Sequence, residues 1–433
     1  MHASIQRPGQ RIAVIGAGIA GLASAYLLAR AHRVTLFESA DYLGGHAHTV
    51  DVTLDGVRHP VDTGFLVFND RTYPNLVALF DELGVSAHRT DMSFSVSLDG
   101  GRFEWAGTNL NTVFAQRRHL FSPTFIGMLR DILRFNASAQ RHLEEVSASR
   151  SSLGELLLEG GYGAPFQRRY LLPMAAAIWS SAAGDVLRFP AATFLRFCLN
   201  HALLQVNHRP PWKTVAGGAR EYVRRIAATL DDIRLQAPVR GVRRDAAGVT
   251  VVTDDAGAER FDAVVLATHA PTSLRLLDDA NADERALLGA VRYQRNLATL
   301  HTDRALLPRR RRVWSAWNYI GERTRQARAA TDPVCVSYLL NQLQPLPFST
   351  PVIVTLNTVD DPAPGKELGR YVYEHPLLDL AAIDAQARLP AIQGARRTWH
   401  AGAWTAYGFH EDGLKSALCV ARDFGVAPAW ATS

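Results

Sequence analysis

Residues suited to holding a phosphate stand near both ends of this 433-residue chain. Ile12-Ala13-Val14-Ile15-Gly16-Ala17-Gly18-Ile19-Ala20-Gly21 is an apolar run passing into a G-x-G-x-x-G spacing, and Glu38, followed by Ser39, closes the next apolar run. Gly16 allows a tight turn after a strand, and Gly18 lets the backbone approach a pyrophosphate. Gly21 lets the following helix pack on the sheet with its N-terminus toward the anion. Glu38 is placed to bind ribose hydroxyls. The second group is His400-Ala401-Gly402-Ala403-Trp404, followed by Tyr407-Gly408-Phe409-His410-Glu411-Asp412-Gly413-Leu414. A cofactor held from both termini is long and runs deep into the protein. That favours FAD over NAD, with redox chemistry at a buried flavin.

Flavin dehydrogenation asks little of side chains. A substrate C–H must lie roughly 3–3.5 Å from the acceptor atom. The cofactor carries the electrons, while the protein supplies orientation and dryness. Desaturation also releases a proton, and His46, His269, His410 and Tyr407 are candidate acid–base groups. His269 directly follows the strand end Ala267-Thr268; the alternative for it is a capped structural histidine. His410 is the better candidate for backbone contact with the flavin. Trp179, Trp404, Tyr407 and Phe409 are candidates to wall an apolar channel, and core packing explains any one of them equally well.

These groups need elements to place them. Arg11 to Ile15, Ile19 to Arg30 and Val34 to Glu38 read as strand, helix and strand, a βαβ opening. Hairpins are expected from Val52 to Val61 around Asp55-Gly56, and from Phe94 to Trp105 around Asp99-Gly100-Gly101. Tyr73 to Leu83 reads as a helix with Pro74 in its first turn and Gly84 ending it. From His119 to Leu204 the pattern is helical, with Phe125, Met128, Leu129, Ile132, Leu133 and Phe135 on one apolar face. Ser152-Leu153-Gly154-Glu155 is a capping-box pattern. Ile233 to Phe261 returns to strands with a turn at Asp255-Ala256-Gly257, and Phe261 to Thr268 is a buried strand. Tyr293 to His301, Val313 to Ile320, Val334 to Leu340 and Val352 to Asn357 are strand candidates for a second sheet. Trp399 to Ala403 and a helix from Phe409 to Phe424 close the chain.

Composition narrows the class. Apolar residues make up 47% and charged residues 20%, as in ordinary globular proteins. The net charge of +6 comes from arginine, since Lys213, Lys366 and Lys415 are the only lysines. Scattered arginines without a recognition motif argue against nucleic acid. A mild positive field suits anionic partners, a phospholipid surface included. Arg309-Arg310-Arg311-Arg312 beside Trp314 and Trp317 fits such a surface, or a solvated loop leading into a strand. Cys198, Cys335 and Cys419 lack metal or disulfide spacing, so no metal is expected and a reducing cytoplasm fits. Met1 to Gln10 lacks the apolar core of a signal peptide, and no run is long enough to span a bilayer. A cytoplasmic protein is expected, with the inner membrane face as a candidate site of attachment.

Beyond these residues, the chain resembles the flavin amine oxidase and phytoene desaturase-like superfamily. Leu43-Gly44-Gly45-His46 is similar to that family's second glycine pair, which touches the pyrophosphate. Pro238-Val239 resembles the strand that meets adenine, and Val264 to Thr268 the strand passing close to the FAD. Ala401-Gly402 with Gly408 to Gly413 resembles the C-terminal flavin motif, where a helix N-terminus points at the flavin. Val61-Asp62-Thr63-Gly64-Phe65-Leu66-Val67-Phe68-Asn69, Asp91 to Val96, Leu172 to Ser180 and Gly408 to Leu414 look like one bacterial group within it. Those are NAD/FAD-binding, amine-oxidase-like proteins encoded beside cyclopropane-fatty-acyl-phospholipid-synthase-like methyltransferases. Some relatives are implicated in oxidising methylated acyl chains.

The resemblance implies an α/β fold in which a glutathione-reductase-type, Rossmann-like FAD domain is interleaved with an α+β substrate domain. The expected segments are 1–75, 212–290 and 390–433 for FAD, and 76–211 and 291–389 for substrate. It implies non-covalent FAD held by Gly16 to Gly21, Glu38, Ser39, Gly44, Gly45, His46, Gly64, Phe65, Val239, Ala267, Thr268, Gly402, Ala403, Phe409, His410 and Gly413. The chain departs from amine oxidases in four places. Arg295-Asn296-Leu297-Ala298-Thr299 lacks their lysine, Phe409 lacks an evident cage partner, Ala403 replaces an acid and His46 an arginine. The expected function is therefore oxidation or desaturation of an apolar substrate, with a phospholipid acyl chain as the leading candidate. His269, Tyr407, Phe409 and Trp179 form the candidate catalytic set. The alternatives are an amine oxidase with a modified cage, and a non-catalytic flavoprotein partner of a lipid methyltransferase.

Overall fold

A parallel five-stranded sheet forms the nucleotide half of the computed structural model, which describes residues 8–205, 209–254, 256–321 and 334–431. Residues 1–7 and Asp255 of the expected Asp255-Ala256-Gly257 turn lie outside the described residues. The strand order is Asp232–Arg234, Arg33–Phe37, Arg11–Ile15, Ala263–Leu266, Thr398–His400. The central strands are continuous apolar runs because both sheet faces are covered. Ile12, Val14 and Val265 join a core with helices Ile19–Leu28 and His410–Asp423, which pack on each other. Ala13, Ile15, Val264 and Leu266 point the other way. They meet the antiparallel meander Val239–Arg244, Val249–Thr253, Gly257–Phe261 and helix Ala282–Ala290.

The second half is a seven-stranded mixed sheet carrying helices. Its order is Glu367–Pro376, Tyr293–His301, Ile353–Leu356, Val336–Leu339, Trp317–Ile320, Phe94–Leu98, Phe103–Ala106. Helices Pro123–Val146, Leu172–Trp179 and Ala191–Asn200 share one apolar core with it, in which Phe135, Phe194 and Phe197 meet Ala298, Leu300 and Val336. Phe125, Met128 and Phe135 are buried as expected, but Leu133 is 60% exposed and faces outward. The strand expected from Val313 begins only at Trp317. Arg311–Val313 winds into a 3₁₀ turn instead, and Trp314 Nε1–H donates to Pro308 O at 2.7 Å.

The expected domain boundaries divide continuous packing units. Residue 76 falls inside helix Pro74–Leu83, whose Leu76, Leu79 and Phe80 lie in the nucleotide-half core. Helix Leu380–Arg388 likewise buries Ala382 and Ala385 against the parallel sheet. The halves are stitched by the buried carboxylate of Asp62. It accepts from Ala219 N–H at 2.9 Å on one side and from Gln344 Nε2–H at 2.7 Å on the other. Burial pushes this carboxyl up to about 6.

Candidate active site

A continuous cavity of about 560 Å³ opens at the C-terminal ends of the parallel strands, where open α/β sheets hold ligands. Of the site residues singled out in the sequence, all but Gly21 and Gly413 line it. Those two stand behind the wall. A Cβ on Gly21 would meet Gly16 O at 1.8 Å, and one on Gly413 would meet Ile19 Cγ2 at 2.8 Å. Gly21 lets its helix close on the first glycine loop, and Gly413 lets helix His410–Asp423 approach helix Ile19–Leu28; neither lines the cavity, which corrects their assignment as cofactor contacts.

At the nucleotide end, Gly16 has φ +99°, and a Cβ there would meet Ala267 O at 2.7 Å. Ala17 N–H donates to Glu38 Oε2 at 2.7 Å, and Gly44 N–H to Ala17 O at 2.8 Å. Glu38 and the second glycine pair therefore brace the first glycine loop. Gly64 must be glycine because a Cβ would meet His46 O at 2.2 Å. Phe65 N–H then donates to the same oxygen. By contrast, a Cβ on Gly18 would meet nothing within 4 Å, and helix Ile19–Leu28 starts without a side-chain cap. Its first N–H donors and an open cradle face the cavity, which fits a pyrophosphate.

No arginine or lysine lines this cavity among the described residues. Its ionisable groups are Glu38, Glu374, tyrosines and five histidines: His46, His201, His269, His375 and His410. His46 Nε2 is buried without a partner, and its ring lies 5.0 Å from Tyr373 and 5.2 Å from His375. Burial holds His46 well below its usual value, and neighbouring His375, His269 and His410 press it the same way. Burial brings His375 down to about 4 and His410 to about 3. His269 stacks on Tyr293 and bonds Glu374 at 3.1 Å. Burial lowers its pKa while Glu374 opposes the shift.

The other end is apolar. Trp179, Tyr407 and Phe409 come together there around Phe197, at centroid distances of 4.6, 5.6 and 4.9 Å. His269 stands elsewhere, on the wall beside Tyr293 and Glu374. Phe409 and Phe197 are stacked at 20°. A cation held between two ring faces needs them roughly 7 Å apart, two van der Waals spacings. This pair is closed to an amine. His201 stacks on Phe197 at 3.9 Å, and its Nδ1 lies 3.0 Å from Phe197 O. A carbonyl only accepts, so Nδ1 carries the hydrogen and Nε2 keeps a lone pair. Burial takes His201 down to about 4, which leaves it neutral near pH 7.

Phe197, His201 and the strand contributing Tyr373, Glu374 and His375 went unrecognised in the sequence. Alternation of Tyr371, Tyr373 and His375 was the available signal for the strand. Of the stretch compared with the lysine-bearing strand of amine oxidases, none of Arg295 to Thr299 lines the cavity; Tyr293 does.

A dinucleotide-binding sheet joined to a second, sheet-and-helix half around one cavity defines a two-domain flavoenzyme fold. The pattern of the flavin-containing amine oxidoreductase family matches residues 19–316. The chain belongs to that family, and its cofactor is FAD. It is 31% identical to the carotenoid phi-ring synthase of Streptomyces griseus over 323 residues, 67% of this chain and 57% of that one. It spans about 54 to 60% of the length of the curated relatives it matches. Among solved structures, a conjugated-linoleic-acid-producing fatty acid isomerase from P. acnes superposes with TM-score 0.68 at 18% identity, covering 96% of this chain and 99% of that one. A putrescine oxidase superposes with TM-score 0.65 at 16% identity, covering 96% and 99%.

Proposed function

We propose that the protein oxidises or desaturates an acyl chain, of the class found in methylated or unsaturated phospholipids. The observation that carries this reading is the aromatic end of the cavity, where Phe409 stacks on Phe197 and, among the described residues that line it, no side chain is acidic or basic but neutral His201; Arg196, outside the lining, bonds the Tyr407 hydroxyl. An alkyl chain gains from burial there, about 0.8 kcal/mol per CH₂, whereas an ammonium would lose its hydration unpaired. That the same fold houses a fatty acid isomerase supports an acyl substrate, as the putrescine oxidase supports amines.

Bound FAD supplies the two-electron acceptor for the hydride leaving the substrate carbon. The protein's part is cradle, walls and proton handling. Gly16, Gly18, Ile19, Gly44 and Gly45, which line the cavity, would hold the pyrophosphate through backbone. Trp179, Phe197, Tyr407 and Phe409 orient the chain and exclude water. We assign the second hydrogen, leaving as a proton, to the free Nε2 lone pair of His201, which lines this cavity, giving the double bond. In this reading His201 takes the role that the sequence suggested for His269.

Mass spectrometry of membrane lipids from cells with and without the protein tests the reading. Acyl chains two hydrogens poorer should disappear with the gene, and their saturated counterparts should accumulate. Identical lipid profiles, together with peroxide release from polyamines, would return the protein to amine chemistry. Identical profiles with a stable methyltransferase complex and no flavin reduction would favour the non-catalytic partner role.

A further inference from the structure

The described residues carry an exposed apolar patch rimmed by arginine, far in sequence from the cofactor loops. Phe121 is 87% exposed, Leu110 77%, Leu120 47% and Ile126 44%. Leu133, 60% exposed, lies two turns beyond Ile126 on helix Pro123–Val146. Local structure gathers them. Ile126 N–H donates to Ser122 O, which sets Ile126 one turn beyond Phe121. Arg117 reaches back to Asn111 Oδ1 and Phe114 O, which draws Leu110 into the same corner.

The tetra-arginine segment arrives beside this corner through the buried carboxylate of Glu104. That carboxylate accepts from Arg309 N–H at 2.7 Å, Arg310 N–H at 3.2 Å and Arg310 Nη1–H at 2.8 Å. Arg118 donates to Arg102 O, and Arg310 to Gly101 O at 2.7 Å. His119 registers the field: burial first, then Arg118, Arg169 and Arg310, lower it to about 4. Among the described residues no ion pair engages Arg102, Arg117, Arg118, Arg309, Arg311 or Arg312. Exposed rings and aliphatic side chains beside unpaired guanidinium groups match the two layers of an anionic bilayer surface, acyl boundary and phosphate. A second copy of the chain fits poorly, because a symmetric pairing sets arginine against arginine.

We propose that this face, centred on Phe121 and rimmed by Arg102, Arg117, Arg118 and Arg309 to Arg312, docks the protein on anionic phospholipid membranes. No helix among the described residues is long and apolar enough to cross a membrane. Attachment is thus interfacial, with Leu110, Leu120, Phe121 and Ile126 entering the headgroup boundary. The proposal goes beyond the acyl-substrate reading and stands without it, since it rests on the outer surface alone.

Vesicle flotation of the full-length FAD-loaded protein tests it, comparing phosphatidylcholine vesicles with vesicles containing about 30% phosphatidylglycerol. Binding to the anionic vesicles, weakened by salt, is expected. Each arginine removed should weaken partitioning about fivefold, so Arg117→Ser/Arg118→Ser/Arg311→Ser should weaken it about 100-fold. Leu110→Ser/Phe121→Ser should weaken it at least tenfold by removing apolar insertion. Both variants change exposed side chains and should keep the parent's flavin spectrum. Absence of binding to anionic vesicles overturns the proposal, as does binding that both variants leave unchanged. Lipid-free self-association abolished by Leu110→Ser/Phe121→Ser overturns it in favour of a dimer face. Flavin reduction by detergent-dispersed substrate is read separately and reports on the acyl reading alone.

Discussion

Replacing two glycines of the first loop should separate folding from cofactor binding. At Gly16 the backbone has φ +99°, and an added Cβ lies 2.7 Å from the Ala267 backbone oxygen. Gly16→Ala therefore strains a dihedral and forces two sheet-end backbones apart, costing about 2–3 kcal/mol. For a cooperative unit of this size that lowers Tm by about 3 °C, in the FAD-free protein as well. At Gly18 an added Cβ meets nothing within 4 Å. Gly18→Val should leave the FAD-free stability within about 1 kcal/mol of the parent's, because its branches enter open cavity. They stand where a phosphate oxygen must approach the N–H donors of helix Ile19–Leu28. Losing one or two charge-assisted hydrogen bonds should weaken FAD binding about 100-fold. Differential scanning fluorimetry of stripped protein and titration of FAD fluorescence give the two numbers independently. Parent-like FAD affinity in Gly18→Val, or parent-like melting of stripped Gly16→Ala, would refute the reasoning.

Three further outcomes follow from the site. FAD should be held more tightly at pH 5.5 than at pH 8, because among the described residues lining the cavity histidines are the only side chains that can add positive charge to the backbone N–H donors facing the pyrophosphate. A pKa lowered in the empty cavity and raised by the dianion gives binding energy that is lost as pH rises through the raised value. Calorimetry in buffers of different ionisation enthalpy should show proton uptake, and a flat pH profile contradicts it. His201→Phe preserves ring stacking but removes the Nε2 lone pair. Turnover should fall about 10²–10⁴-fold with FAD affinity unchanged, and parent activity should fail on the acid side as His201 protonates near 4. Glu411→Ala strips the acceptor from Asn75 N–H, Asn75 Nδ2–H and Leu76 N–H, all buried. Chemical denaturation should show a loss of about 2–4 kcal/mol, with Glu411→Gln recovering part of it.

The nucleotide half was legible because its chemistry constrains neighbours in sequence. A turn needing φ +99° at Gly16, a loop braced by Glu38 twenty-one residues from Ala17, and an uncapped helix leave a local signature. The substrate end was legible only in part. Trp179, Tyr407 and Phe409 were found, yet Phe197, which joins them, sits on helix Ala191–Asn200, whose apolar pattern reads as ordinary core, and His201 caps that helix. The missing partner of Phe409 was invisible because 212 residues separate it from Phe197 and only packing brings them together. Strand Glu367–Pro376 was missed because Pro, Glu and charged residues break its pattern. With it went His375 and Glu374, which turn His46 and His269 from isolated histidines into one cluster. His269 was given a catalytic role from its position after a strand; in the fold it bonds Glu374 and stacks on Tyr293.

Anaerobic mixing of the FAD-loaded protein with candidate substrates tests the central claim most directly. Phospholipids carrying methylated or unsaturated acyl chains should bleach the yellow absorbance of the oxidised flavin. Polyamines and aryl-alkyl amines should leave it unchanged. Bleaching by amines, with the lipids inert, would contradict the account.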